Sequence, residues 1–430
     1  MLLAATAAIA CSEEPQCDGC TPIDASSASD ARESATDAGA LPDAEAVDLG
    51  SETDAGAGSP DATEADSGSA DSGSTDSGSA DSGSADAGFL DATSPVDAGP
   101  AADAGSTDAG TASDAGMGGC GACPAGTTCG TANGTPVCRT ADGIPRFTHV
   151  FVIVMENTSE DTLQMSTNTP YIHGLISAWS SASDYHGVTH PSMPNYLAMT
   201  SNVDTSGIHC DCQPTGGTCN ALNCNLISGN CGCPQMAQHL GDQLEAAGLS
   251  WKDYGEDMGS PCNTSIAGDY APKHVPFLYY DNVLSNSARC NAHVVDYSNF
   301  AGDLSAPATY SLIAPNLVHD MHNPITGGAT NLANGEAWLS TNVPPILASS
   351  AYTSGGLLVI VWDEDDLSGI LRPDDPIPMI LISPYAKHGG FVSAIHADHK
   401  ALLATIEDGL GLPRLGSAST APLADYFPAN

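Results

Sequence analysis

The sequence predicts an α/β fold: a three-layer sandwich around a largely parallel central sheet. Three observations carry this. Short β-branched apolar runs, each long enough for a buried strand, recur through the C-terminal two thirds of the chain. Stretches with helical spacing of apolar residues alternate with them, as a parallel sheet requires. Three of the runs break off abruptly into polar, ligand-type residues, and in such sheets ligands bind beyond the carboxyl ends of the strands.

The chain of 430 residues opens on MLLAATAAIAC, an apolar segment too short to span a bilayer. It reads as a secretory h-region and resembles a bacterial lipoprotein signal. That resemblance implies a lipidated Cys11 and an exported protein, in the cell envelope or outside the cell. A chance apolar start on a cytosolic chain is the alternative. Removing Cys11 from the 15 cysteines leaves an even 14, as pairing in an oxidising compartment needs.

Residues 12–118 are built from Asp-Ala-Gly and Asp-Ser-Gly units such as ADSGSTDSGSADSGSADAG. With few large apolar residues and one sign of charge, this stretch cannot offset its ordering entropy, and it reads as a self-repelling tether. Residues 119–140 hold Cys120, Cys123, Cys129 and Cys138 among Gly, Thr and Pro. Two disulfides suit this collar better than a zinc knot in an exported chain.

Residues 141–430 form the remaining domain. Strands are expected over 147–155 (FTHVFVIVM), 309–314 (TYSLIA), 356–362 (GLLVIVW) and 377–383 (IPMILIS), with helices over 169–179, 195–200, 236–247 and 401–410. A dense insert carries Cys210, Cys212, Cys219, Cys224, Cys231 and Cys233; Cys262 and Cys290 follow. Disulfides are the expected use, and their connectivity stays open.

Charge narrows the function. Residues 1–140 hold 24 of the 52 acidic residues and two of the ten bases, leaving 28 acids against eight bases in the rest. Neither part offers a basic field for nucleic acid. A phosphorylated substrate would have to be captured by a local device such as a metal ion.

The polar strand ends supply candidates: Glu156 and Asn157 after the first strand, Asp320 and His322 after the second, Asp363 and Glu364 after the third. Single acids after strands are commonly solvated loops or caps, but three such clusters at one edge suit divalent cations. In VTHPSMPNYLAMTSN (188–202), Ser192 sits before a helical run, where unsatisfied backbone N–H groups attract anions. An ordinary Ser N-cap is the plain alternative.

The motifs VFVIVMEN, THPSMPNYLAMTSN, WKDYGEDM, KHVPFLYY, NLVHDMHNP, LLVIVWDEDD and HKALLATIEDGLGL occur in order across 147–415. This body resembles the bacterial and fungal phosphoesterase family of acid phosphatases and phospholipase C enzymes, within the alkaline-phosphatase-like superfamily. The resemblance implies a metal-dependent hydrolase with one or two divalent ions (Mg, Ca, Mn or Zn). It implies that Glu156, Asn157, Asp363 and Glu364 hold one metal. Ser192 would be the nucleophile or a metal-adjacent hydroxyl, and Asn195 would bind phosphate oxygens. Asp320 and His322 would serve a second metal or the leaving group. His399, with His396 as competitor, would be a late metal ligand, and His190 would protonate the leaving alkoxide. His190 and His319 could equally be structural imidazoles.

A small phosphate monoester is the expected substrate, with no protein partner evident and membrane contact only through the lipid anchor. Phosphodiester cleavage is the alternative; it would favour an apolar rim, for which Trp251, Tyr254, Phe277, Tyr279 and Tyr280 are available, or these are core. A non-catalytic lipoprotein binding a phosphorylated ligand would lack a site residue, and none is missing.

Overall fold

The computed structural model describes residues 119–208, 210–215, 233–322, 328–366, 375–415 and 419–429. The N-terminal segment with Cys11, the acidic tether and Cys219, Cys224 and Cys231 of the insert lie outside the described residues. Strands β1 (Thr127–Ala132) and β2 (Thr135–Thr140) form an antiparallel hairpin. The other strands are β3 (Val150–Met155), β4 (Ser180–Ala182), β5 (Tyr185–His186), β6 (Trp251–Gly255), β7 (Val294–Asp296) and β8 (Tyr310–Ala314). β9 (Leu357–Trp362), β10 (Met379–Ile382), β11 (Phe391–Ser393) and β12 (Ala397–Asp398) complete them.

Eight strands make the central sheet, in the order β11-β4-β10-β9-β3-β8-β6-β7. Only β10 runs against its neighbours; β3 pairs in parallel with both β8 and β9. Every residue of β3, β8 and β9 is buried. Because successive side chains point to opposite faces, both faces of the sheet are covered, which makes the fold an α/β sandwich. Each fully buried Val or Ile here stabilises by on the order of 1.5–3 kcal/mol. The four expected strands are present, trimmed by one to three residues at their ends.

Register places the site. Met155 lies beside Trp362, so Glu156 and Asp363 leave the sheet together, tied by the Asp363 N–H to the Met155 carbonyl at 2.9 Å. The Glu156 N–H donates to the Asp320 carbonyl at 2.7 Å, which brings in the segment after β8. Three polar strand ends thus meet at one edge.

Helix Pro170–Ala178 packs on Gly328–Ala348, and helix Ser192–Thr200 packs on His399–Leu410. The 21-residue helix Gly328–Ala348 was not expected from the sequence, whose Pro344 and Pro345 argue against one. Both prolines fall about one turn before its end. The helix expected from 236 begins only at Leu240, because the Gln235 N–H is spent on the Tyr279 carbonyl at 2.6 Å and holds the chain extended. Helix His399–Leu410 closes at Gly411 (φ 72°), where a Cβ would collide with the Arg146 guanidinium. That guanidinium donates to the Asp408 and Leu410 carbonyls at 3.1 and 2.9 Å, opposing the negative end of the helix.

In the collar, disulfides Cys120–Cys129 and Cys123–Cys138 use all four thiols, so the zinc alternative falls. Asn133 at the hairpin tip donates to the Pro384 and Ala386 carbonyls at 3.0 and 2.6 Å, docking the collar on the body. A third disulfide joins Cys262 to Cys290. Among the described residues no helix is long and apolar enough to cross a membrane.

Glu407 is buried in helix His399–Leu410 and accepts the Leu415 N–H at 2.6 Å; burial pushes its carboxyl up to about 7. The folded chain keeps a proton that the unfolded chain releases above about 4.5. Its contribution is therefore whole below about pH 4.5 and is lost as pH rises through about 7. Glu407→Gln should flatten that decline in denaturant melts across the window; parallel curves for variant and wild type would contradict it.

Candidate active site

Ser192 is the first residue of its helix, and Pro191 holds the cap position without a side-chain hydrogen bond. The plain N-cap reading therefore fails: the Ser192 hydroxyl turns to the strand ends. It donates to Glu156 Oε2 at 2.9 Å and lies 3.3 Å from Glu364 Oε1. Lys273 Nζ donates to the same hydroxyl at 3.2 Å and to Asp211 Oδ2 at 3.0 Å. Asp211 in turn accepts the Met193 N–H at 3.0 Å and so caps the helix in place of Ser192.

Asn157 has a left-handed backbone (φ 24°), which Asn tolerates better than most residues. This turn lets its N–H reach Asp363 Oδ1 at 3.0 Å and its Nδ2 reach Glu364 Oε1 at 2.8 Å. Two buried oxygens then have no hydrogen-bond donor, Asn157 Oδ1 and Asp363 Oδ2, and Asp320 Oδ2 is a third. Buried acceptors without donors are rare and costly, and a cation is the partner that such oxygen donors fit.

Electrostatics give the same picture. Burial pushes the Asp363 carboxyl well above the usual carboxylate range, and the neighbouring Glu156 and Glu364 add to it. Burial also raises Glu364, against the opposing pull of His190. For Glu156 burial works upward, but His274 and Lys273 outweigh it and hold the carboxyl well below its ordinary value.

Five residues here were missed by sequence reasoning. Tyr196 OH donates to Glu156 Oε1 at 2.9 Å; His274 Nε2 lies 3.0 Å from the same oxygen, its ring stacked on Tyr196. Lys273 and Asp211 flank Ser192, and Asp365 faces His190. Lys273 and His274 stand in the KHVPFLYY motif, and a lysine before a histidine in so base-poor a domain was the available signal.

Several other expected residues are held by partners of their own. Asn195 is fully buried: its Oδ1 accepts the Val188 N–H at 2.8 Å and its Nδ2 donates to the Thr189 carbonyl at 2.7 Å. It shapes the loop before Ser192 and has no free edge for a phosphate. His399 Nε2 is spent on the Asp363 carbonyl at 2.6 Å and its Nδ1 on Tyr185 OH at 3.2 Å, so neither nitrogen is left for a metal. His190 is gripped by Glu364 at 2.6 Å and Asp365 at 3.0 Å. Burial would lower it, but those carboxylates raise it to about 10 and hold it as a cation paired to both. His319 faces Glu256 at 3.0 Å, away from Ser192, and His396 lies beside Asp184.

His322 does join the site, with Nδ1 at 3.5 Å from Glu156 Oε2, and its N–H fixes Asp320 Oδ1 at 2.9 Å. Burial acts to lower its pKa, but Glu156 and Asp320 prevail and raise it. Trp251, Tyr254, Phe277, Tyr279 and Tyr280 are all core, so they supply no apolar rim.

A hydroxyl at a helix start, a facing lysine and buried carboxylates at a sheet edge are the groups that phosphoryl chemistry uses. Residues 164–413 match the phosphoesterase family, a span that includes Ser192, Lys273, Asp320 and Asp363. Phosphatidylinositol-3-phosphatase of Mycobacterium tuberculosis is 31% identical over 66% of this chain and 83% of its own length. A probable acid phosphatase of Kluyveromyces lactis is 26% identical over 63% of this chain, which spans 60% of it. An acid phosphatase of Aspergillus fumigatus is 25% identical over 63% of this chain, which spans 56% of it. A solved alkaline phosphatase superfamily protein from Vibrio parahaemolyticus superposes with a TM-score of 0.43 at 11% identity, over 66% of this chain and 72% of its own. The chain belongs to the phosphoesterase family. It is a hydrolase acting on phosphoric ester bonds.

Lys273 places a fixed positive charge on the Ser192 hydroxyl at 3.2 Å. Replacing it by Met should lower kcat/KM for a phosphate ester on the order of a hundredfold, the usual cost of losing one donor to transition-state charge. A loss of about threefold or less, under 1 kcal/mol of barrier, would show that its charge is not used.

Proposed function

We propose that this chain is an exported, metal-dependent phosphomonoesterase of acid-phosphatase type, with Ser192 as its nucleophile. The observation that carries the proposal is the Ser192 hydroxyl, buried and held between Glu156, Glu364 and Lys273 beside two orphaned oxygens. The names of its relatives, which are phosphatases, support the reaction class. The disulfides support export to an oxidising compartment.

Asn157 Oδ1 and Asp363 Oδ2 would hold a divalent ion, with the Glu156 and Glu364 carboxylates alongside. The donors are nearly all oxygen, which suits Mg, Ca or Mn better than Zn. Such an ion supplies Lewis acidity, lowering the pKa of a nearby hydroxyl and offsetting phosphate charge.

The chain's own groups do the rest. Ser192 passes its proton to Glu364, whose Oε1 lies 3.3 Å from the hydroxyl. Its Oγ bonds to phosphorus as the bond to the ester oxygen breaks, and the leaving oxygen takes a proton from His322. The Lys273 ammonium faces the charge that gathers on the phosphoryl oxygens. In the return half, water gives a proton to His322 and attacks phosphorus, and Ser192 leaves as its hydroxyl with the proton from Glu364. His322 is suited to this exchange because its raised pKa keeps it protonated at acid pH. The buried aromatics favour a small monoester over a substrate needing an apolar rim.

Turnover of p-nitrophenyl phosphate and its bis-ester, with and without EDTA, tests this reading. The monoester should be preferred, chelation should abolish turnover, and Ser192→Ala should lose on the order of 10⁴-fold or more in kcat. Full activity in Ser192→Ala, indifference to thorough chelation, or turnover of the bis-ester alone would overturn it.

A further inference from the structure

A second group of ligand-type side chains shares no residue with the Ser192 site. Asp184, between β4 and β5, and His186 in β5 meet His396, the residue before β12. His186 Nε2 is 2.8 Å and His396 Nδ1 3.4 Å from Asp184 Oδ1. One ligating atom from each of the three falls within 4.8 Å of the others. The two imidazole rings are 4.7 Å apart and tilted by 42°, and both contact the same carboxylate oxygen.

The backbone holds this arrangement in place. Tyr185 pairs with Ala397 and His186 with Asp398 in a parallel register. The Ala397 N–H donates to the Asp184 carbonyl at 3.1 Å, and the Ser183 N–H to the Ser393 carbonyl at 2.9 Å. The backbone pairing therefore brings His396 beside Asp184 across 212 residues of sequence. His186 is buried, while Asp184 and His396 face solvent.

We propose that Asp184, His186 and His396 form a three-ligand site for a zinc-class divalent transition metal, separate from the phosphoesterase site. Two imidazoles and a carboxylate are the donor set that such ions prefer, whereas the Ser192 site is almost wholly oxygen. Tetrahedral bonds of about 2.0–2.1 Å put neighbouring ligand atoms roughly 3.4 Å apart. The His396 contact already has that length, and the His186 contact needs to open by roughly half an ångström. Gly187, the next residue, runs so close to the phosphoesterase site that a Cβ there would lie 2.9 Å from the Asp363 carbonyl and 3.3 Å from Asn195 Oδ1. An ion on the triad would clamp the β5–β12 pair that abuts both.

The test is a Co²⁺ titration of the full chain, without a histidine tag, after stripping with EDTA and with Mg²⁺ in large excess to fill oxygen-only sites. Wild type should develop the visible absorption of Co²⁺ bound by nitrogen and oxygen. His396→Ala, a change at an exposed side chain, and Asp184→Asn should each weaken that binding by about tenfold or more, with melting in metal-free buffer unchanged for His396→Ala. Asp363→Asn should retain it even if phosphatase activity is lost, which separates this proposal from the one above. No visible band in wild type, an affinity unchanged in His396→Ala, or a band lost only in Asp363→Asn would overturn it.

Discussion

The parallel register of β3 against β9 is the constraint on which the site depends. Because Met155 stands beside Trp362, two pairs of polar residues emerge at one point and Asn157 can bond both Asp363 and Glu364. A slip of one residue would turn every side chain of β3 to the other face and part those pairs. The close packing of both faces and the Asp363 N–H bond to the Met155 carbonyl oppose it. Core packing and chemistry are thus one problem here. The same runs that exclude water from the sheet deliver carboxylates into a place where their charge is costly.

That cost explains what surrounds Ser192. Glu156, Asp320, Asp363, Glu364 and Asp365 are all buried. Lys273, His190, His274 and His322 are arranged against them, each within 4 Å of a carboxylate or of the serine hydroxyl. The chain as a whole carries a net charge of −42, so its long-range field repels a phosphate. A local device such as a metal ion was expected to reverse that field. Lys273 shows that part of the positive charge is built into the chain, with Asp211 orienting it. The orphaned oxygens of Asn157 and Asp363 are the part that the protein does not itself balance.

Much of this was legible in the sequence, for physical reasons. Parallel strands buried on both faces read as unbroken β-branched runs, and their ends show as abrupt polarity, so β3, β8 and β9 and the residues after them could be placed. Helix Gly328–Ala348 could not, because its Gly, Thr, Asn and paired Pro residues have low helix propensity and packing on Pro170–Ala178 decides the outcome. Lys273 sits on a short 3₁₀ turn, Pro272–His274, and meets Ser192 across 81 residues, an approach that no local pattern encodes. His399 and His396 illustrate the remaining limit. They are three residues apart, and the β5–β12 register sends one inward to the Asp363 carbonyl and the other out to Asp184.

The central claim is that Ser192, rather than water, first attacks phosphorus. The stereochemistry at phosphorus is its most direct measure, using a monoester made chiral with oxygen isotopes and transferring the phosphoryl group to an alcohol acceptor. Each in-line displacement inverts the configuration, so passage through phosphorylated Ser192 requires two inversions. The account predicts net retention. Net inversion would mean a single direct displacement and would contradict it.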